Sequence, residues 1–276
     1  MDQTLLEKKA TWLRRCIFDM LCKAKQGHPG STISLVEILA ALFYGGVIRY
    51  EHGNADASWR DRIIISKGHA AMALYPIFSD LGYFDEKELD HFGTSDGILR
   101  IFGNINIPGI DATCGSLGHG FGIGIGYAMA AKYDDAETRV FVVISEGEMY
   151  EGSVWEGALL AAHHKLDNLV ILLDRNRKII LGDTEDLVRL EPITDKWESF
   201  GFKVLSIDGH SFPELIEAFS YIGKTNGQPL VIVANTVKGK GIPMMEHEAS
   251  WHYWQGIDED TIEQVRQDLL TKETSV

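Results

Sequence analysis

Short apolar runs alternate with longer amphipathic stretches along almost the whole of this chain. The runs at 62–66, 139–144, 169–174, 202–206 and 229–234 are five or six residues long and rich in Ile, Val, Leu and Phe. Runs of that length and composition predict strands, the one at 62–66 buried. Helices are predicted over 4–25, with Leu5, Trp12, Ile17, Met20 and Leu21 on or near one face, over 34–43 behind a serine cap, and over 70–81. Others are predicted over 127–132, 158–166, 191–200, 213–221 and 258–271. The segment 26–30 ends the first helix, because Gly27, Pro29 and Gly30 break it. Residues 85–111 lack a period and are read as loop. With helices and strands alternating and neither a linker nor a repeat, the expected fold class is α/β. It is one doubly wound domain over 1–276, with its core at about 5–256 and a mostly parallel sheet covered by helices on both faces.

Two polar residues stand at the ends of adjacent runs. Glu146 follows the run at 139–144, and Asn176 follows the run at 169–174. A helix between two runs makes a βαβ unit, whose strands must be parallel. Both residues therefore emerge at the carboxyl edge of one sheet, where open α/β folds place their ligands. An acid and an amide there, beside glycines that expose backbone N–H groups, suit a hard divalent cation holding a diphosphate.

Composition narrows the field. A formal charge of −14 argues against a nucleic-acid surface, and the small basic clusters at Lys23/Lys25 and Lys238/Lys240 do not reverse it. Cys16, Cys22 and Cys114 lack metal-type spacing and are read as buried or free thiols in a reducing compartment. No apolar run approaches a membrane span, and the first residues lack the order of a signal peptide, so a cytoplasmic protein is expected.

Turns rich in glycine and histidine follow several predicted elements: Gly27-His28-Pro29-Gly30, Ser66-Lys67-Gly68-His69 and Gly115-Ser116-Leu117-Gly118. Each is weak taken singly. In order along the chain they are joined by Pro108-Gly-Ile-Asp111, the segment 148–168, Thr184-Glu-Asp186, Asp195-Lys-Trp197, Ile207-Asp-Gly-His210, Lys238-Gly-Lys-Gly241 and Trp251-His252. This collinear series resembles the transketolase family, and more closely the N-terminal subunit of split, two-chain transketolases, over about 5–256.

The resemblance implies a domain that binds thiamine diphosphate through Mg²⁺ or Ca²⁺. It assigns the metal to the Glu146 carboxylate, the Asn176 side-chain oxygen and the Lys178 carbonyl, and the diphosphate to the Gly147 N–H, His69 and His252. Ile180 and Val237 would pack on the thiazolium ring, Gly115 and Leu117 would lie near the aminopyrimidine, and Glu148 joins the cofactor-binding set. His28 would hold or relay a substrate hydroxyl proton, and His252 is placed with it among the catalytic residues. Glu151 and Glu156 would link paired active sites across a subunit interface. The implied activity is transfer of a two-carbon ketol unit from a ketose to an aldose. The pyrimidine-binding and C-terminal domains, with most sugar-binding residues, are expected on a partner chain, in a heterotetramer of two copies of each. The alternatives are another thiamine-dependent enzyme (2-oxo acid decarboxylating, or deoxyxylulose-phosphate-synthase-like) and a non-catalytic scaffold.

The chain departs from the family pattern in four places. Ser145-Glu146-Gly147 stands for Gly-Asp-Gly, and Asn176-Arg177 for Asn-Gly. Residues 98–103 lack the usual histidine, and His119 replaces a frequent Gln. Weaker metal binding and a specialised sugar or secondary-metabolite substrate are the corresponding expectations.

Overall fold

The structure, a computed structural model, describes residues 2–275. The N-terminal helix α1 (Gln3–Ala24) is capped by Asp2, whose carboxylate accepts from the Leu5 N–H. It buries Leu6, Leu13, Ile17 and Leu21, whereas Leu5, expected near that face, is exposed. Pro29 opens the five-residue helix α2 (Pro29–Ile33), so the Gly-Pro segment starts an element as well as ending one. The next helix, α3 (Val36–Tyr44), starts two residues late and has no serine cap. Ser34 instead donates to the Asp174 carboxylate at 2.6 Å, which outweighs a cap because both groups are buried.

Strand β1 (Arg62–Ile65) leads through a 3₁₀ turn (Gly68–Leu74) into α4 (Tyr75–Asp80). The long loop 92–118 follows, and then α5 (His119–Tyr133). This helix begins eight residues before the predicted start and absorbs the glycine-rich stretch. Gly124 serves packing, while Gly122 and Gly126 face open space: a Cβ on Gly124 would lie 2.3 Å from Val142 Cγ2, so only glycine lets α5 approach the sheet there. Next come β2 (Val140–Ser145), α6 (Gly152–His163), which starts six residues before its predicted start, and β3 (Leu169–Arg175). A hairpin of β4 (Lys178–Ile179) and β5 (Gly182–Asp183) precedes α7 (Thr184–Leu187) and α8 (Ile193–Ser199). The chain closes with β6 (Lys203–Asp208), α9 (Phe212–Phe219), β7 (Leu230–Asn235) and α10 (Glu259–Ser275).

All five long strands are parallel, in the order β1-β2-β3-β7-β6. Alternate residues of each strand face opposite layers, as the period of two requires. Phe141, Val143, Val170, Leu172, Leu230 and Ile232 pack under α1, α3, α4, α9 and α10. Val140, Val142, Ile144, Leu169, Ile171 and Val233 pack under α5, α6 and α8 around Trp197. The expected doubly wound α/β architecture is present. The three cysteines are buried and free, and burial pushes Cys16 and Cys22 up to about 12, which leaves them as unreactive thiols.

Candidate active site

The central strands end together, and their register decides what meets. Ser145 lies beside Asp174, and Asp174 beside Ala234. The residues one step further, Glu146 and Arg175, are therefore cross-strand neighbours, and they form a fully buried ion pair through Glu146 Oε2. Arg175 also donates to Thr184 Oγ1 at 2.9 Å, Glu185 at 2.8 Å and Glu191 at 3.0 Å. The other Glu146 oxygen, Oε1, is buried without a hydrogen-bond partner.

Ser145 needs none of the freedom of the glycine it replaces. Its backbone is extended (φ −100°, ψ 160°), and it forms a capping box with Glu148 over the 3₁₀ turn Glu146–Tyr150. Arg177 differs: at φ 65° it occupies the left-handed region that favours glycine. Asn176 donates to Asp174 at 3.1 Å, while its Oδ1 accepts from the Lys178 N–H at 3.1 Å. Its oxygen is thereby turned toward the backbone of the same loop.

Beneath these residues Asp174 collects donors. Lys67, Ser34, Asn176 and Thr236 all point at its carboxylate, and Lys67 also donates to the Ser31 carbonyl at 2.7 Å. Burial pushes Asp174 up, but the Lys67 ammonium and the hydroxyl donors overcome it and hold the carboxyl below its usual range. This cluster ties the end of β3 to α2 and to the Gly68–Leu74 turn.

A cleft of about 400 Å³ opens above, at the carboxyl ends of β2 and β3. His28, His69 and His252 form one wall, with ring centroids 4.9–5.4 Å apart. Burial, reinforced by Lys238, lowers His28 to about 4 and His252 to about 3. Burial also drives His69 well down, with Lys67 adding to the effect. All three are neutral near pH 7, so each imidazole offers one N–H and one lone pair. His28 Nδ1 is buried without a partner, an atom left for a ligand to satisfy. Lys238, nearly inaccessible, lies with Nζ 3.4 Å from His252 Nδ1, and burial beside Lys67 lowers it to about 8.

Gly147, Asn176, Lys178 and Ile180 form the opposite wall, and Gly115, Leu117 and Glu151 close the end. The sequence-predicted set thus converges on one cleft, with four exceptions. Glu146 is shielded beneath the floor by Arg175. Glu148 is buried as well, accepting from Ser66 Oγ and from the N–H groups of Gly118 and Ser145, so it shapes the loop walls without lining the cleft. Glu156 stands exposed on α6, and Glu151 ahead of that helix is exposed too, so in the isolated chain neither is the buried, proton-sharing carboxylate expected. Val237 also lies outside the lining. Its N–H donates to His210 Nε2, whose Nδ1 is thereby the protonated nitrogen and donates to Glu37 at 2.9 Å. Burial opposes ionisation of Glu37, but Arg14 and His210 hold it at about 2, and Arg14 also grips the Lys240 carbonyl at 2.7 Å. That relay fixes the loop carrying Val237 and Lys238.

Phe102, Tyr150, Ile179 and Tyr253 also line the cleft, beyond the residues the sequence singles out. Phe102 and Tyr253 flank His28, with centroids 5.9 and 4.8 Å away. Nothing in the local pattern marks them. Arg175 stands one position past the predicted run 169–174, so its inclusion in β3 and its burial are likewise unmarked.

The fold and cleft define a diphosphate-binding α/β domain: parallel strands ending at a cleft with neutral N–H donors on one wall and an exposed glycine loop on the other. A family described as "Transketolase, thiamine diphosphate binding domain" matches residues 6–275. A subunit of the apulose-4-phosphate transketolase of Phocaeicola vulgatus is 37% identical over 97% of this chain and 95% of that protein. A 6-deoxy-6-sulfo-D-fructose transketolase subunit of a Clostridium species is 36% identical over 91% of each. Transketolase from Campylobacter jejuni superposes with a TM-score of 0.91 at 28% identity, covering all of this chain and 46% of that one. The chain spans less than half the length of that solved enzyme but nearly the full length of the two related subunits. This chain belongs to the transketolase family, as its thiamine diphosphate-binding domain, and thiamine diphosphate is its cofactor.

Proposed function

We propose that this chain is the cofactor-binding half of a two-chain transketolase that moves a two-carbon ketol unit between sugars. The observation that carries the reading is the cleft itself, with its three neutral histidines facing Gly147 and Asn176 across the ends of β2 and β3. When bound, thiamine diphosphate supplies the nucleophilic carbon for breaking and remaking the bond beside a ketose carbonyl. This chain's residues position and protect that chemistry. His69 and His252 donate N–H groups to the diphosphate, joined by the Gly147 N–H. His28, held between Phe102 and Tyr253, keeps its unpartnered Nδ1 for a substrate hydroxyl and takes or returns that proton. Leu117 and Ile180 exclude water from the ring. A divalent ion, typical of transketolases, fits the unpartnered Glu146 Oε1, with Asn176 Oδ1 and the Lys178 carbonyl completing the protein's share.

The domain over 1–276 is proposed to work with a second chain carrying the pyrimidine-binding half, in a heterotetramer of two copies of each. Support comes from α5 and α6, which pack together yet leave Ile123, Tyr127, Leu159 and Leu160 uncovered beside Glu151 and Glu156. The related proteins act on sugars ending in phosphate or sulfonate, by their names; a sugar carrying such an anionic end is the proposed substrate class. No helix among the described residues is long and apolar enough to cross a membrane, and a cytoplasmic location is proposed.

The test is reconstitution. The chain, co-expressed with a second-half transketolase chain, is assayed for ketol transfer from phosphorylated and sulfonated ketoses. Transfer by the pair and none by either chain alone is the expected result. Full activity of this chain alone, or decarboxylation of 2-oxo acids by the pair, would overturn the proposal.

A further inference from the structure

His28 keeps an unpartnered nitrogen at the cleft, and two aromatic rings decide what can sit beside it. Phe102 meets the imidazole edge-on and Tyr253 meets it tilted, with centroids 5.9 and 4.8 Å away. Both rings are anchored through their backbones. The Tyr75 hydroxyl donates to the Arg100 carbonyl at 2.7 Å, and Gly103 lies so close to Ala71 that a Cβ on it would be 2.9 Å from the Ala71 methyl carbon. The Trp254 N–H donates to the Gly27 carbonyl at 2.9 Å, which holds Tyr253 against His28. Even so, Phe102 and Tyr253 are 42% and 50% exposed, so much of each ring is left for a ligand to cover.

A ketose has two arms on its carbonyl carbon. The long arm carries the hydroxyl whose proton His28 takes and, in the proposed substrates, an anionic end. That end finds no cation on the His28 side: among the described residues only Lys178 lines the cleft as a cation, on the opposite wall and paired with Asp183. The short arm is a single carbon, in most ketoses a hydroxymethyl group, and it is the arm that fits beside Phe102. Arg100 is the one polar side chain in the segment 98–103, and the Thr94 carbonyl engages it. A hydroxyl on the short arm is therefore stripped of water without gaining a partner there, whereas a methyl group packs against the ring.

We propose that Phe102, backed by Tyr253, is a specificity-determining residue that accepts a methyl short arm at least as readily as a hydroxymethyl one, so that the enzyme moves an acetyl unit in addition to a ketol unit. The inference rests on the two-chain transfer reading and extends its substrate class to methyl-ketone sugars. The bond between the carbonyl carbon and the hydroxyl-bearing carbon breaks, and its electron pair stays with the two-carbon unit. The long arm leaves as an aldehyde once His28 has taken the hydroxyl proton. The carbonyl carbon of an acceptor aldehyde then takes that pair, and the proton returns to its oxygen. One methyl ketone and one aldehyde are consumed and one of each is formed, with no net oxidation or reduction.

The test uses the assembled two-chain enzyme with thiamine diphosphate and Mg²⁺. Donor ketoses with a phosphate or sulfonate end are each paired with a counterpart in which methyl replaces hydroxymethyl. In wild type, kcat/KM for the methyl ketone is expected to equal or exceed that for its counterpart, and the product is a new methyl ketone. Phe102→His, which offers the short arm a polar partner, should turn the ratio toward the hydroxymethyl donor by about tenfold or more. Tyr253→Phe should leave the ratio in place. A second readout needs no turnover: in the assembled enzyme without cofactor, NMR saturation of the aromatic protons should pass to the methyl protons of the bound donor, and Phe102→Leu should weaken that transfer. Wild-type preference for the hydroxymethyl donors, a ratio that Phe102→His does not move, or a ratio that Tyr253→Phe does move overturns the proposal. So does a methyl signal that Phe102→Leu leaves intact. Transfer from no member of either series would instead remove the two-chain transfer reading, and this inference with it.

Discussion

His28, His69 and His252 are neutral because the protein has taken them out of water and set them near Lys238. Neutrality suits their work, since a neutral ring can donate to a diphosphate oxygen and still accept a proton. It also has a pH signature. In the unfolded chain these rings protonate near 6.5, whereas folded His28 and His252 wait until about 4 and 3. As pH falls from 6.5 toward 4 the unfolded state binds more protons, so stability falls across that window. The cofactor-free protein is expected to melt at lower temperature at pH 5 than at pH 7. The His28→Asn, His252→Asn double variant should show a smaller difference when both are followed by thermal unfolding. An unchanged slope in the double variant would show that other groups set the acid limb.

At the scale of elements, the site depends on tethers between the strand ends and the helices behind them. The Lys67–Asp174 pair joins β3 to α2 and to the Gly68–Leu74 turn, and the Arg14–Glu37–His210 relay joins α1 and α3 to the loop after β7. Both are buried, so removing one partner strands the other in a medium that solvates it poorly. Lys67→Met is expected to destabilise the chain by about 3–5 kcal/mol, measured by urea unfolding, although Lys67 does not line the cleft. A loss under about 1 kcal/mol would mean that water reaches Asp174 and replaces the ammonium.

At the scale of the whole molecule, the sheet is covered on both faces, but the covering helices are not all finished surfaces. Leu159 is 61% exposed on α6, and Ile123 and Tyr127 stand uncovered on α5. A charge of −14 keeps the chain from associating without specificity, so a partner has to match this patch by shape. Leu159→Glu is expected to weaken assembly with the second chain by about tenfold or more in affinity, in line with losing an interface anchor. The melting temperature of the isolated chain should be unchanged. Light scattering on the mixture checks the first effect, and unaltered assembly would place the interface elsewhere.

The sequence by itself determined the sheet. Every predicted run became a parallel strand with its ends within two residues of the expected ones, the central ones buried between two helical layers and β6 half-buried at the sheet edge. Residues that follow parallel strands must gather at one edge, which brings His69, Gly147 and Asn176 to the cleft, whereas His28, which follows α1, and His252, in the turn 249–252, were assigned to it by the family resemblance. Helix starts were less legible. The start of α5 was hidden by glycines, of which Gly124 faces the sheet while Gly122 and Gly126 are exposed, and Ser34 was read as a cap although it bonds to Asp174, 140 residues away. Only the tertiary structure decided that Glu146 would lie against Arg175. Strand register is fixed by long-range packing, and it puts two charges in contact that sit 29 positions apart in the chain. Burial then makes that contact matter, because a charge removed from water is governed by its nearest partner.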